Sequence, residues 1–282
     1  MSSYRKAGVI GWPITQTRSP LIHGTWLEEQ GIEGSYEKYA VKPDELPSFI
    51  QNLKQNGFAG LNLTIPHKEQ VLSLVDEITD EAKAIGAANT LWYEQDKLIA
   101  GNTDGYGFLT HLQTSAPKWQ ASMPALILGA GGAARAIIYA LLQAGVPEII
   151  LTNRTAQRAD QLAKEFGNKL CTISWATKEQ ALSRCGLLVN STSLGMTGKP
   201  ALEINIDTLP PQAVVYDIVY APLETELLKA ARQKGLEAVD GLGMLLHQAV
   251  PGFEKWFGTR PQVTEALYEK VVQDLNQPKA EP

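Results

Sequence analysis

A glycine-rich turn between an apolar strand and an alanine-rich helix constrains the fold of this chain more than any other feature. Residues 129–134 read GAGGAA and follow the apolar run ALIL at 125–128. A helical pattern then continues from Gly132 to Ala144, and a second apolar run ends at Thr152. In a dinucleotide-binding turn, the first glycine allows the sharp reversal, the next lets a pyrophosphate approach the backbone, and a small last residue lets helix pack on strand. The pattern predicts a Rossmann-type unit.

The backbone of this turn is the predicted pyrophosphate site. Free amides at the N-terminal end of a helix carry partial positive charge and attract phosphate. We therefore expect the cofactor's pyrophosphate to contact Gly129, Ala130, Gly131, Gly132 and Ala133.

The residues after the second strand distinguish between the two nicotinamide cofactors. An acidic residue there would bond the ribose 2′-hydroxyl of NAD, whereas arginine favours the 2′-phosphate of NADP. This chain has Asn153, Arg154 and Thr155 at that place, with Arg158 one helical turn further. The stretch predicts NADP as the cofactor. The alternative is a solvated helix start with two exposed arginines.

The remaining pattern alternates strands and helices on both sides of the stretch SAPKWQASMP at 115–124, which is rich in Ser and Pro and reads as a linker. Alternation of this kind indicates an α/β fold, and continuous apolar strands indicate a parallel sheet buried on both faces. We expect two domains: an α/β substrate-binding catalytic domain at 1–116 and a doubly wound Rossmann-like NADP domain at 117–244. Helical residues 245–282 are expected to pack back on the first domain.

Composition limits the classes of function. The 282 residues are 44% hydrophobic and 20% charged, with a net charge of −5 and an isoelectric point near 5.5. This balance argues against a general nucleic-acid surface, and the chain lacks the ~20 consecutive apolar residues of a membrane span. The N-terminus has no signal-peptide core, so we expect a cytoplasmic protein. Cys171 and Cys185 fit neither a metal site nor a disulfide framework and are expected to be reduced thiols.

Two residues of the first domain have the chemistry for proton exchange at an alcohol. The stretch LNLTIPHK ends an apolar strand at Thr64 and presents Lys68, and Asp104 begins a helix in NTDG. A lysine beside a carboxylate would form a general acid–base unit. The plainer interpretation makes Lys68 a surface lysine and Asp104 a helix N-cap. His67 is a second, less favoured candidate for the acid.

Nine stretches in order carry a resemblance to a known family. They read GWPITQTRSPLIH at 11–23, NLTIPHKE at 62–69, GAANT at 86–90, NTDG at 102–105, GAGGAAR at 129–135, NRT at 153–155, NSTSLGM at 190–196, DIVYAPLET at 217–225 and GLGMLLHQA at 241–249. The chain thereby resembles the shikimate dehydrogenase family over nearly its whole length. The resemblance implies reversible, NADP-dependent reduction of 3-dehydroshikimate to shikimate, on the pathway to chorismate and the aromatic amino acids.

The resemblance also implies roles for particular residues. Lys68 and Asp104 would form the catalytic pair, and Thr17 and Ser19, aided by Tyr220, would hold the substrate carboxylate. The ring oxygens would be bonded by Thr64, Asn89, Asp104 and Gln248, because neutral amides and hydroxyls suit a polyol. On the cofactor side, Ile218 and Gly241 would lie near the nicotinamide, and Asp80 at the cofactor edge.

Three alternatives remain open at this stage. Thr17 stands where the family pattern has serine, and its added methyl group narrows the carboxylate pocket, so a quinate or dual quinate/shikimate dehydrogenase is the close alternative. A non-catalytic NADP-binding sensor belongs to another class and would not need Lys68 and Asp104. A methylene-folate dehydrogenase has a similar layout, but the stretches at 11–20 and 102–105 do not support it. The expected assembly is a monomer or a homodimer.

Overall fold

The structure is a computed structural model that describes residues 4–15 and 17–277. Gln16 of the first quoted stretch and the last five residues of the expected helical C-terminus lie outside the described part. The chain divides into two compact units: one comprises Met1–Thr103 with Leu246–Pro282, and the other comprises Asp104–Leu245.

The first unit is built on a mixed six-stranded sheet. Its strands are β1 (Arg5–Gly11), β2 (Gly34–Ala40), β3 (Phe58–Leu63), β4 (Glu77–Ile78), β5 (Thr90–Glu94) and β6 (Lys97–Gly101), in the order β2-β1-β3-β5-β6-β4. The pairs of β1 with β2 and β3 are parallel, whereas β5 is antiparallel to both β3 and β6. The helices are α1 (Ser19–Gln30), α2 (Leu46–Gln51), α3 (His67–Gln70) and α4 (Asp80–Ile85).

The stretch NTLWYEQDKLIAG at residues 89–101 predicts a hairpin with its turn near Gln95 and Asp96, and the structure confirms it. Both turn residues have positive φ, 49° and 67°, as a tight two-residue hairpin turn requires. The sequence also predicts a helix around Glu69–Asp76, and only the first part of this stretch is helical. After α3 a short 3-10 segment (Val71–Ser73) follows, and the backbone N–H of Asp76 donates to Leu98 O, which draws the chain into β4.

The second unit is a parallel six-stranded sheet covered on both faces. Its strands are β7 (Ala125–Leu128), β8 (Ile149–Thr152), β9 (Leu170–Thr172), β10 (Leu187–Asn190), β11 (Val214–Asp217) and β12 (Glu237–Val239), in the order β12-β11-β10-β7-β8-β9. Its helices are α5 (Asp104–Ser115), α6 (Gly132–Gln143), α7 (Ala156–Phe166) and α8 (Glu226–Gln233), and a 3-10 helix spans Trp175–Arg184.

Alternate residues of the central strand β7 point to two separate apolar cores. Ala125 and Ile127 join one core, whereas Leu126 and Leu128 join the other, and all four side chains are buried. A strand buried on both faces accounts for the continuous apolar run in the sequence. The predicted α/β fold class with a doubly wound Rossmann-type unit is confirmed.

Two helices complete the chain, α9 (Leu242–Phe257) and α10 (Glu265–Asn276). In the first unit, Trp256 of α9 is buried and its Nε1–H donates to Leu91 O at 2.8 Å. Gly60 of β3 leaves room for this indole, because a Cβ at Gly60 would collide with both Trp256 Nε1 and Leu91 O. None of the helices within the described residues has the length and hydropathy needed to cross a membrane.

The close contact at Gly60 gives a direct test of the first unit. Gly60→Ala should lower the free energy of unfolding by about 3 kcal/mol, because the backbone carbonyl of Leu91 cannot move aside without breaking the sheet. Chemical denaturation measures the change.

Gly24→Ala is the matched control, since Gly24 lies within α1 and a Cβ there meets nothing within 4 Å. It should stabilise the protein by about 0.5–1 kcal/mol. Equal effects of the two substitutions would contradict the packing described for Gly60.

Candidate functional site

The glycine turn of the second unit is shaped for close approach of an anion. Gly129 has φ of 107°, and a Cβ there would lie 2.8 Å from Ser191 Oγ and 3.0 Å from Thr192 Cγ2. By contrast, a Cβ on Gly131 or Gly132 would meet no described atom within 4 Å. Gly131 is the N-cap of α6 and has no side chain to cap the first amides. The exposed amide end of α6 therefore fits the pyrophosphate of a dinucleotide.

Asn153 connects this turn with the start of α7. Its Oδ1 accepts from the N–H of Ala130 at 3.3 Å, and its Nδ2 donates to Thr155 O at 2.8 Å. Thr155 is the N-cap of α7, but its side chain bonds none of the helix amides within the described structure, and the first turn of α7 has no acidic residue. The start of α7 is therefore a second uncapped, positively polarised helix end.

Arg154 and Arg158 differ from the other six arginines of the chain. Arg18, Arg135, Arg184, Arg232 and Arg260 form ion pairs with carboxylates, and Arg5 donates to Trp256 O. Across residues 4–15 and 17–277, Arg154 and Arg158 have no such partner, and both are exposed. Two unpaired guanidinium groups beside an uncapped helix end match the charge of a phosphate monoester.

In the first unit, an amide pair is fixed by surrounding hydrogen bonds. Asn89 is buried, and its Oδ1 accepts from the N–H of Thr103 and the hydroxyl of Thr90, each at 2.8 Å. Its Nδ2 donates to Gln248 Oε1 at 3.3 Å, and the Thr103 hydroxyl donates to Gln248 O at 2.8 Å. These donors fix which end of the Asn89 amide is oxygen. The structure thus brings together two of the residues expected to bond the ring oxygens.

The backbone of Lys68 is joined to the residue that precedes Asn89. The N–H of Ala88 donates to Lys68 O at 2.8 Å, which ties α3 to the residue preceding Asn89. Thr64 lies between β3 and α3, and its N–H donates to Ile10 O at 3.0 Å. Lys68 and Thr64 are both half-buried.

His67 has a structural role in this segment. Its ring is fully buried, and Nε2 lies 2.8 Å from Val41 O. Because a carbonyl oxygen can only accept, Nε2 must carry the proton and donate it. A ring nitrogen committed to a core carbonyl is not available for proton exchange, so the structure does not favour His67 as the acid.

The two hydroxyls expected to hold a carboxylate lie together at the start of α1. Thr17 Oγ1 lies 3.2 Å from Ser19 Oγ and accepts from the N–H of Ser19 at 3.3 Å. Ser19 is the first residue of the helix, where the partial positive charge of the helix end favours an anion.

Four residues that the resemblance did not single out extend the polar network around Asn89, namely Tyr36, Asn62, Thr90 and Thr103. The Tyr36 hydroxyl donates to Asn62 Oδ1 at 2.6 Å, and Asn62 Nδ2 donates to Asn89 O at 3.0 Å. Burial raises the pKa of the Tyr36 hydroxyl well above its usual value. Asn62, Thr90 and Thr103 belong to stretches that carry the family resemblance, so the sequence contained a signal for these three residues.

The other expected site residues have varied surroundings. In the second unit Ile218 and Gly241 are brought together, since a Cβ on Gly241 would collide with Ile218 O. Tyr220 is partly exposed in the same unit, and Asp104 is the first residue of α5. Asp80 begins α4 in the first unit, where its exposed carboxylate pairs with Lys83 at 3.5 Å.

Three family models match the chain in succession. The shikimate dehydrogenase substrate-binding domain matches residues 9–91, the shikimate/quinate 5-dehydrogenase model matches 112–197, and the shikimate 5′-dehydrogenase C-terminal domain matches 241–270. Each of these ranges includes at least two of the quoted stretches or site residues.

Individual proteins are similar over almost the full chain. Shikimate dehydrogenase (NADP(+)) of Brucella abortus is 52% identical over 278 residues, which cover 98% of this chain and 96% of that protein. Shikimate 5-dehydrogenase from Thermus thermophilus, solved with NADP(H) and shikimate, is 36% identical with a TM-score of 0.83 and coverage of 96% and 99%. Quinate dehydrogenase from Corynebacterium glutamicum, solved with NAD, is 30% identical with a TM-score of 0.88 and the same coverage.

Proposed function

The chain belongs to the shikimate dehydrogenase family, and on this premise we propose that it is an NADP-dependent oxidoreductase that interconverts shikimate and 3-dehydroshikimate. The observation that carries the proposal is the backbone bond that joins Lys68 to the residue before Asn89, whose side-chain amide is bonded to that of Gln248. Neutral amides can both donate and accept, which suits vicinal hydroxyls, and the adjacent lysine can exchange a proton with one of them.

The chain's residues divide the reaction into binding and proton transfer. Thr17 and Ser19 hold the substrate carboxylate with help from Tyr220, and Thr64, Asn89 and Gln248 orient the ring hydroxyls. During oxidation the amine of Lys68 accepts the proton of the reacting hydroxyl, while the hydride leaves the carbon that bears this hydroxyl. During reduction its ammonium form returns the proton to the carbonyl oxygen. Asp104 bonds the reacting hydroxyl.

The second unit supplies the cofactor's place. When bound, NADP would supply the hydride acceptor for oxidation, and its reduced form the hydride donor for reduction. Residues 129–133 would hold the pyrophosphate through backbone amides, and the 2′-phosphate would be held by Asn153, Arg154, Thr155 and Arg158. Ile218 and Gly241 would lie near the nicotinamide, and Asp80 at the cofactor edge. Two charge-assisted bonds at about 1.5–3 kcal/mol each would favour NADP over NAD by roughly a hundredfold or more.

Quinate is the runner-up substrate. The methyl group of Thr17 alters the carboxylate pocket, and a quinate dehydrogenase solved with NAD is among the similar structures. The unpaired Arg154 and Arg158 favour the NADP-dependent activity instead. A location in the cytoplasm and a monomeric or dimeric state stay predictions from the sequence.

The role of Lys68 is tested by two substitutions. Lys68→Ala should lower kcat for shikimate oxidation by about 10²–10⁴-fold, with a smaller change in KM, because it removes the group that exchanges the proton. Lys68→Arg should be similarly inactive, since a guanidinium keeps the charge but does not release its proton. Absorbance of NADPH at saturating NADP measures the rates.

The exposed Lys97 provides the control. It is the first residue of β6 and has no proposed role in the site, so Lys97→Ala should leave kcat unchanged. If Lys68→Ala retained wild-type kcat, Lys68 would have no part in proton transfer.

The arginine pair is tested by cofactor preference. Arg154→Asp should lower kcat/KM for NADP by about a hundredfold and change that for NAD far less, because the new carboxylate repels the 2′-phosphate. Lys169→Asp makes the same change in net charge on an exposed residue of the same unit and should leave the preference unaltered. Equal losses of kcat/KM with both cofactors in Arg154→Asp would show that Arg154 is a solvated surface residue and does not bind the 2′-phosphate.

A further inference from the structure

The second unit contains a buried carboxylate that the proposed reaction does not use. Asp217 ends β11, has no exposed surface, and forms none of the ion pairs found among residues 4–15 and 17–277. Burial raises the pKa of Asp217 to about 6, against the opposing effect of hydrogen bonds from Thr225, Val219 and Asn190. Burying a carboxylate that only neutral donors bond costs free energy of folding. We therefore ask which part of the structure this carboxylate holds in place.

The first arm of this arrangement reaches the segment 190–194. Asp217 Oδ1 accepts from Asn190 Nδ2 at 2.9 Å, and the same Nδ2 donates to Leu194 O at 3.1 Å. The Asn190 Oδ1 accepts from both the N–H and the hydroxyl of Thr192, at 3.1 and 2.7 Å. The side-chain amide of Asn190 therefore bonds both Thr192 and Leu194, and Asp217 fixes the orientation of that amide.

The segment 190–194 lies directly against the dinucleotide turn. The Ser191 hydroxyl donates to Leu128 O at 2.8 Å, and its oxygen is the atom that a Cβ on Gly129 would approach. A shift of residues 190–194 would therefore change the space beside Gly129, the first glycine of the turn.

The second arm closes the loop 218–225. Asp217 Oδ1 also accepts from the N–H of Val219 at 3.1 Å, and Asp217 Oδ2 accepts from the Thr225 hydroxyl at 2.7 Å. The Thr225 oxygen accepts in turn from Leu228 N–H at 3.4 Å and caps α8. One carboxylate thus fixes both ends of the loop that carries Ile218 and Tyr220.

We propose that Asp217 is a positioning residue whose carboxylate, with Asn190 and Thr225, forms a clamp that sets the loop 218–225 for hydride transfer. The clamp places Ile218 against the backbone of Gly241 and fixes both ends of the loop that carries Tyr220. This inference rests on the proposed function, because it concerns the roles given there to Ile218 and Tyr220. The clamp itself touches no reacting atom.

Paired substitutions at both ends of the clamp test the proposal. Thr225→Val and Asp217→Ala break it, whereas Thr225→Ser and Asp217→Asn keep hydrogen-bonding groups in place, since the Thr225 hydroxyl can turn to accept from an amide. The breaking variants should lower kcat by about tenfold to a hundredfold, because a displacement of about 1 Å near the reacting atoms costs about that much. The conservative variants should stay within about threefold of wild type.

The dissociation constant for NADP distinguishes positioning from loss of structure. Measured by titration calorimetry on the full-length protein, it should change by less than about threefold in Thr225→Val, because the arginines and the glycine turn remain. Leu182→Ala, a core substitution in the same unit, supplies a destabilised control, and at temperatures where it is folded it should keep wild-type kcat. Melting curves confirm that each variant is folded under assay conditions.

The two proposals fail in different ways. Wild-type protein that binds NADP but oxidises no shikimate would refute the proposed function. An active wild type with equal kcat in Thr225→Val and Thr225→Ser would refute the clamp alone. A kcat that falls only in proportion to the unfolded fraction would likewise reduce Asp217 to a structural role. If Asp217→Ala does not fold, the Thr225 pair decides.

Discussion

The polar features of the second unit depend on the parallel register of its four central strands. Leu128 is paired with Thr152 on one side and with Asn190 on the other, and Asn190 is paired with Asp217. The carboxyl ends of β7, β8, β10 and β11 therefore end at one level, where open α/β sheets bind their ligands. A slip of one residue would turn the side chains of Asn190 and Asp217 to the other face and separate them from the turns that they hold.

The two units use different chemistry toward a bound molecule. The first unit presents amides and hydroxyls whose orientations are fixed by buried partners, as with Asn89 between Thr90 and Thr103. Fixed neutral donors and acceptors discriminate strongly, because a ligand that lacks a matching hydroxyl leaves them unpaired. The second unit presents uncapped helix ends and unpaired arginines, which attract phosphate through charge. A small polyol and a phosphorylated dinucleotide are the ligands that these surfaces suit.

The sequence predicted local features well and long-range polar contacts poorly. The glycine turn, the buried strand of β7 and the hairpin turn at Gln95 each have a pattern confined to a few residues, and the structure confirms them. The 3-10 helix at Trp175–Arg184 and the short strand β4 have no such pattern.

Hydrogen bonds between distant residues were also missed, for a physical reason. Asn62 bonds Asn89, 27 residues away, and Thr103 bonds Gln248, 145 residues away. No periodicity links such pairs, since they meet only after the sheet has formed. The family resemblance located several of the residues, but the contacts that orient them became visible only in the folded chain.

The most direct measurement is a comparison of kcat/KM for shikimate and quinate, each with NADP and with NAD, on the purified protein. We expect the highest value for shikimate with NADP, and a preference for NADP over NAD of roughly a hundredfold from two arginine bonds to the 2′-phosphate. A highest value for quinate with NAD would contradict both the substrate and the cofactor assigned to this chain.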